Sequence, residues 1–311
     1  MINKLHLLLF VLFFSPLFHS VVDEDPLPSL GDYSSASISL SGEYNMGRLW
    51  LAMYRGSTKE HSDPLMRTYL EDLIYRLSET SEVRDRRFEF IILEDKTINA
   101  FAAPGGIIGI NLGMFLNTQK EGELASVMCH ELAHLSQRHF ARSQNRNSPL
   151  TNALMILGSI AVAAASRNPE AILIAPAAMQ QMSINYTRSN EKEADRIGFN
   201  NLVKAGFNPD DMTMMFQRMQ DKYQNEDSEQ FSYLMTHPLP SERLTDMRIR
   251  ADSLEKTSKD NYRDNLDFYF MQKRAEVWAE KDIEKLIIKY KKDSKSQINN
   301  ISSAAKYGLS L

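Results

Sequence analysis

Leu124-Ala-Ser-Val-Met-Cys-His-Glu-Leu-Ala-His134 decides how this 311-residue chain is read. From Glu121 to about Arg142 apolar residues recur at helical spacing, with Leu124, Val127, Met128, Leu132 and Leu135 forming the stripe. Within that helix His130 and His134 are four residues apart, so both imidazoles leave one face and can hold one metal ion. Glu131 stands on the adjoining edge, where it reaches a water beside the metal and not the metal itself. The alternative is a helix with two ordinary surface histidines, which leaves a polar cluster unexplained in an amphipathic stretch. Chance produces such a pentapeptide in roughly one chain in a hundred of this length and composition.

A catalytic zinc takes a third protein ligand and keeps one open position. Asn190-Glu191-Lys-Glu-Ala-Asp195 supplies acids in a second helical context. Glu191 and Asp195 share a face, while Glu193 points elsewhere. Glu191 can therefore ligate the metal while Asp195 takes the far nitrogen of a liganding histidine and fixes its tautomer. A solvated acidic face is the other reading of this segment, and the pairing with His130-Glu131-x-x-His134 argues against it.

The surroundings are those of a folded domain. Hydrophobic residues make up 43% and charged residues 24% of the chain, proportions of a soluble globular protein. A net charge of -4 gives no electrostatic case for nucleic acid. The single cysteine, Cys129, excludes an internal disulfide and a cysteine-cluster metal site. It adjoins His130 but diverges from it by about 100° around the helix, so it reads as a small buried residue. His139 follows the motif and turns off the metal face.

Residues 1–20 read as a secretory signal peptide, a positive start at Lys4 and an apolar run from Leu5 to Phe18, with an uncleaved anchor as the alternative. Either way the rest of the chain is expected to be exported. Val21 to Ser41 reads as an extended lead-in. Asp63-Pro64 starts a helix whose Leu65, Met66, Tyr69, Leu70, Leu73, Ile74 and Leu77 form one buried stripe. Phe88 to Leu93, Asn99 to Ala102 and Ile107 to Ile110 read as strands of a small sheet, the last two joined by a turn at Pro104-Gly105-Gly106. Residues 152–179 are apolar but interrupted, a helical hairpin over the core or cleft, with membrane contact as the other reading. Helical patterns return at Phe268 to Ala279 and Ile283 to Tyr290.

His130-Glu131-x-x-His134 with Glu191-x-x-Ala194-Asp195, together with Asn99 to Ala102, Asn190 to Gly198 and Thr236-His-Pro-Leu-Pro-Ser-Glu-Arg243, resembles the zinc metallopeptidases typified by the CAAX prenyl protease. The likeness is greatest to their bacterial periplasmic branch that serves outer-membrane β-barrel assembly, and runs from about Leu27 to Arg243. It implies an α+β fold: a mostly helical gluzincin-type metallopeptidase domain with a small β-sheet over residues 21–250, and a short helical tail over 251–311. It implies one Zn2+ per chain held by His130, His134 and Glu191, with Glu131 as general base and Asp195 behind the ligands. It sets His237 beside the metal, either steadying the oxyanion or filling the fourth position and holding the enzyme latent. Arg243 pairs with Glu or a substrate carbonyl and holds that loop. Relatives of that branch continue into tetratricopeptide repeats, of which Ser302 to Leu311 resembles an opening helix.

Asn99, Ala100, Phe101 and Ala102 are the expected substrate-binding residues, an edge strand pairing with extended peptide backbone. The implied activity is endoproteolysis of unfolded or misassembled envelope and outer-membrane proteins, with the β-barrel assembly machinery as a partner. The rival is a zinc-stabilised chaperone or adaptor for outer-membrane protein assembly with a silent peptidase site. Glu131 separates the two, because a structural zinc does not need it.

Overall fold

The computed structural model describes residues 38–144, 187–225, 232–254, 262 and 264–311. The expected leader at 1–20 and the apolar stretch at 152–179 lie outside the described residues. Helix α1 (Leu40–Ser57) is followed by α2 (Pro64–Glu79), which starts where the sequence says it should. Asp63 Oδ1 accepts the backbone N–H groups of Leu65 at 3.0 Å and Met66 at 3.2 Å, and Pro64 supplies the fixed φ of a first helical turn. Met66, Tyr69, Leu70, Leu73, Ile74 and Leu77 are buried as expected. Leu65 is not: it lies on the flank of the stripe and is 53% exposed.

The sheet has the order β1-β3-β2, with β1 (Glu89–Leu93) parallel and β2 (Ala100–Ala103) antiparallel to β3 (Ile107–Asn111). All five residues of the central strand are buried, and β2 forms one edge of the sheet. Gly105 and Gly106 close the β2–β3 turn at φ 78° and 76°, which L side chains rarely adopt.

After the short α3 (Leu112–Asn117), α4 (Glu121–Ser136) runs through the centre of the molecule with Glu121 to His134 all buried. The helix expected to reach Arg142 stops at Ser136. Arg138 takes φ 50°, its guanidinium tied to Glu43 Oε2 at 3.1 Å and to the carbonyl of Ile38, and a separate helix α5 (His139–Gln144) begins beyond it.

Helix α6 (Arg188–Lys204) lies against α4. Gly198 permits their closeness: a Cβ there would stand 3.0 Å from both the backbone nitrogen and the Cα of His130. Helices α7 (Asp210–Asn225), α8 (Ser232–Thr236) and α9 (Ser241–Ser253) enclose this pair. Helices α10 (Leu266–Ala279) and α11 (Ile283–Asp293) match the two helical patterns in the sequence, and α12 (Asn299–Gly308) follows. The main apolar core joins α2, the sheet, α4 and α7, and includes Phe268, Met271 and Ala275 of α10. A smaller cluster of Trp50, Leu51, Ile91 and Ile107 packs α1 on the sheet. No helix among the described residues is long and apolar enough to cross a membrane. The fold is the expected mostly helical one with a small three-stranded sheet.

Candidate metal centre

Three elements converge on one buried point. Helix α4 brings His130, Glu131 and His134, α6 brings Glu191 and Asp195, and the turn after α8 brings His237. His130 Nε2 and His134 Nε2 are 2.9 Å apart, and Glu191 lies 3.4 Å from each, through Oε2 and Oε1 respectively. His237 Nδ1 is 3.1 Å from both oxygens of Glu191. One donor atom from each of His130, His134, Glu191 and His237 falls within 4.8 Å of every other, and all four residues are buried.

The far side of the centre is anionic and tightly held. His130 Nδ1 stands 3.0 Å from Asp195 Oδ1. Arg243 grips Asp195 with two prongs, Nε to Oδ2 at 2.6 Å and Nη2 to Oδ1 at 2.7 Å. Its Nη1 donates to the Pro238 carbonyl at 2.6 Å and lies 3.0 Å from Glu191 Oε2. Arg243 thus ties Pro238, next to His237, to helix α9, with Asp195 as its principal partner.

These contacts dictate charge and tautomer. Burial disfavours the imidazolium of His130, yet Asp195 and Glu191 outweigh that and raise its pKa to about 9. Burial also drives His134 well below its ordinary value. Against the desolvation of its own carboxylate, the three histidines around Glu191 hold it well below the usual range, and Arg243 does the same for Asp195. A bound cation would displace one proton from this ring; with the other kept on Nδ1 by Asp195, the neutral His130 presents a bare Nε2 to the centre. His237 does likewise when its Nδ1 proton is given to Glu191. Lone pairs and a carboxylate crowded into one dry space repel one another unless a cation lies among them. The donor set thus fits a metal ion of nitrogen and oxygen preference.

Glu131 is 1% exposed, and its Oε1 accepts no hydrogen bond among the described residues. That oxygen is 3.6 Å from His237 Nε2. Burial raises the carboxyl's pKa, while a bond from the backbone N–H of Ala102 works in the opposite direction. Edge strand β2 is thereby tied to the carboxylate. Of the four expected substrate-binding residues, Ala102 meets Glu131, Ala100 is fully buried, and the ring of Phe101 packs with Trp50 and Tyr54 on the α1 side. Asn99 accepts the Asn111 N–H through its carbonyl. Cys129 is buried outside the donor group and its thiol is pushed up by burial.

Sequence reasoning missed three residues. Tyr233 stacks on His237 with ring centres 4.6 Å apart, a pairing written in their i, i+4 spacing on the last turn of α8. His139 was expected to turn off the metal face. It does stay out of the donor group, but the break at Arg138 brings its Nδ1 back to 2.8 Å from His134 Nδ1. Glu193, which points away from the donors as expected, receives His139 Nε2 at 3.1 Å and Arg142 Nη1 at 2.9 Å.

Two histidines one turn apart on a central helix, a carboxylate from the helix packed on it, and a free carboxylate beside them define a metallopeptidase. The model of peptidase family M48 matches residues 64–251, and the chain belongs to that family. It is 41% identical over 244 residues to a putative beta-barrel assembly-enhancing protease of Vibrio cholerae, covering 76% of this chain and 50% of that one. To the beta-barrel assembly-enhancing protease of Escherichia coli it is 37% identical over 239 residues, covering 74% of this chain and 48% of the other. A mitochondrial metalloendopeptidase of Schizosaccharomyces pombe is 27% identical over 197 residues, 61% of this chain and 56% of that one. The chain thus spans about half the length of the curated relatives it matches. The likeness to the CAAX prenyl protease type is one of family.

Proposed function

We propose that this chain is a zinc-dependent endopeptidase in which His130, His134 and Glu191 hold the metal and Glu131 is the general base. The observation that carries this is Glu131 itself: a buried carboxylate with one oxygen free, facing a four-residue donor group that it does not join. A structural metal site has no use for that arrangement. Zinc takes this donor set: adjacent ligands of a tetrahedral zinc at 2.0–2.1 Å are roughly 3.3 Å apart, both His–Glu191 separations are 3.4 Å, and the 2.9 Å between His130 and His134 would have to widen slightly around the ion.

Zinc, when bound, supplies a Lewis acid that polarises the scissile carbonyl and eases loss of a proton from water. Glu131 accepts that proton as the water oxygen adds to the carbonyl carbon. It then delivers the proton to the amide nitrogen as the C–N bond breaks, and so ends the cycle as it began. Asp195 keeps the His130 proton on Nδ1, and Arg243 keeps Asp195 ionised and in place. Strand β2 offers its edge to an extended peptide backbone, which selects unfolded chains. His237 belongs to the donor group, which supports its role as a latch over the fourth position.

The relatives named for β-barrel assembly support a place in the bacterial periplasm, with unfolded or misassembled outer-membrane proteins as substrates and the assembly machinery as partner. The test is hydrolysis of an unfolded protein by the zinc-loaded chain beside Glu131→Gln at equal zinc content. Turnover should fall by at least ~100-fold in the variant. Equal rates with the metal bound would mean that another group activates the water.

A further inference from the structure

We propose that His139 and Glu193 form a relay that fixes the tautomer and orientation of His134 for the metal. The inference rests on the metal-centre reading above and goes beyond its ligands. A neutral imidazole that gives Nε2 to the centre must carry its proton on Nδ1. In His134 that nitrogen is 2.8 Å from Nδ1 of His139, and two ring nitrogens at that distance share one proton. The His139 Nδ1 is therefore the acceptor, and its own proton sits on Nε2. There it faces Glu193 Oε2 at 3.1 Å, a carboxylate that can only accept while ionised. Arg142 Nη1, 2.9 Å from the same oxygen, keeps it so. Every proton in the chain His134–His139–Glu193 follows from the metal end outward.

The two metal-binding histidines are thus held differently. His130 meets an anion directly, and that anion is buried with Arg243. His134 meets a neutral ring first, with the carboxylate one imidazole further away and its side chain 33% exposed. The fold makes the second arrangement with the break at Arg138. In an unbroken helix His139 would lie about 7.5 Å along the axis from His134 and roughly 140° around it, out of reach. Instead α5 turns back and seats His139, fully buried, against the ligand.

The test is metal affinity, measured by competition between the purified chain and a chelating dye for Zn2+. His139→Ala should weaken binding about 10- to 100-fold, the usual range for loss of a group supporting a ligand. His139→Asn, whose Oδ1 can accept the His134 Nδ1–H, should restore most of it, and thermal unfolding of this variant without metal checks its fold. Histidine 15N spectra of the zinc-loaded chain, with His139 assigned through His139→Asn, should show the Nε2–H tautomer for His139. The Nδ1–H tautomer would overturn the relay, as would a His139→Ala affinity within twofold of wild type. His134→Ala separates the two levels. If it binds zinc normally, the metal-centre reading falls; if it loses zinc while His139→Ala does not, only the relay falls.

Discussion

Replacing Arg243 with methionine removes the fork that joins α9 to the metal helix pair while leaving a side chain of similar reach. The guanidinium makes bonds of 2.6 and 2.7 Å to Asp195 and one of 2.6 Å to Pro238, and lies 3.0 Å from Glu191. The side chains of Arg243, Asp195 and Glu191 are each no more than 3% exposed, so water cannot replace what is lost. Breaking a buried pair by removing one partner costs about 3–5 kcal/mol. At roughly 2–4 °C per kcal/mol for a domain of this size, the metal-free chain should melt about 6–20 °C lower. Arg243→Lys keeps the charge but not the planar fork and should recover only part of this. The sign with pH follows from Asp195, whose pKa Arg243 and His130 hold below its ordinary value against the pull of burial. That stabilisation is complete above the unfolded aspartate value near ~3.9 and is lost as pH falls through the lower folded one. The gap between Arg243→Met and wild type should therefore be full at neutral pH and narrow in strong acid. Calorimetry of Arg243→Met, Asp195→Asn and the double variant supplies the decisive comparison. If the two losses simply add to within about 0.5 kcal/mol, the pair is not coupled and the reasoning is wrong.

His237→Ala, at equal zinc occupancy, should raise the initial rate of proteolysis if the imidazole is a latch over the fourth position; a variant no faster than wild type would count against the latch and favour an oxyanion role, whose loss typically lowers turnover about 100-fold. Gly198→Ala drives a methyl to 3.0 Å from the His130 backbone, and because neither helix can yield locally, it should cost about 1–3 kcal/mol and weaken zinc binding; unchanged melting and affinity would show that the helices part freely. Burial raises Asp211 to about 6, so above that pH its charge is a liability to the folded chain that fades toward pH 4. Asp211→Asn should accordingly stabilise the protein at pH 7.5 by roughly 2 kcal/mol, after allowing for the favourable helix N-terminus it occupies, by about a third of that at pH 4.5, and not at all near pH ~3.

The donor residues were legible because their spacing is a local matter. His130 and His134 share a helix face by periodicity alone, and so do Glu191 and Asp195. Asp63-Pro64 announces a helix start with equal economy. What could not be read is long-range or strained. Arg138 looks like any helical residue, and its φ of 50° depends on Glu43 and Ile38, 95 and 100 positions away. His139 and Glu193 gained their partners only through that break. Strand alternation found the three strands but carried no sign that β3 would insert between β1 and β2, since order in a sheet is settled by what packs on its faces. Leu65 was assigned to the buried stripe because apolarity does not say where a stripe ends.

The loop that presents His237 is stiff as well as anchored. Proline fixes φ at positions 238 and 240, the His237 N–H is bonded to the Tyr233 carbonyl at 2.8 Å, and the Pro238 carbonyl is bonded to Arg243. Such a segment has little room to fluctuate by itself. The imidazole can leave the donors by swinging about its own two side-chain torsions, against the stacked ring of Tyr233, or by carrying the Ser232–Thr236 helix along with it. If His237 is the proposed latch, its opening should be a discrete event with its own barrier, raised by the Tyr233 stacking and by the Arg243 bond to Pro238.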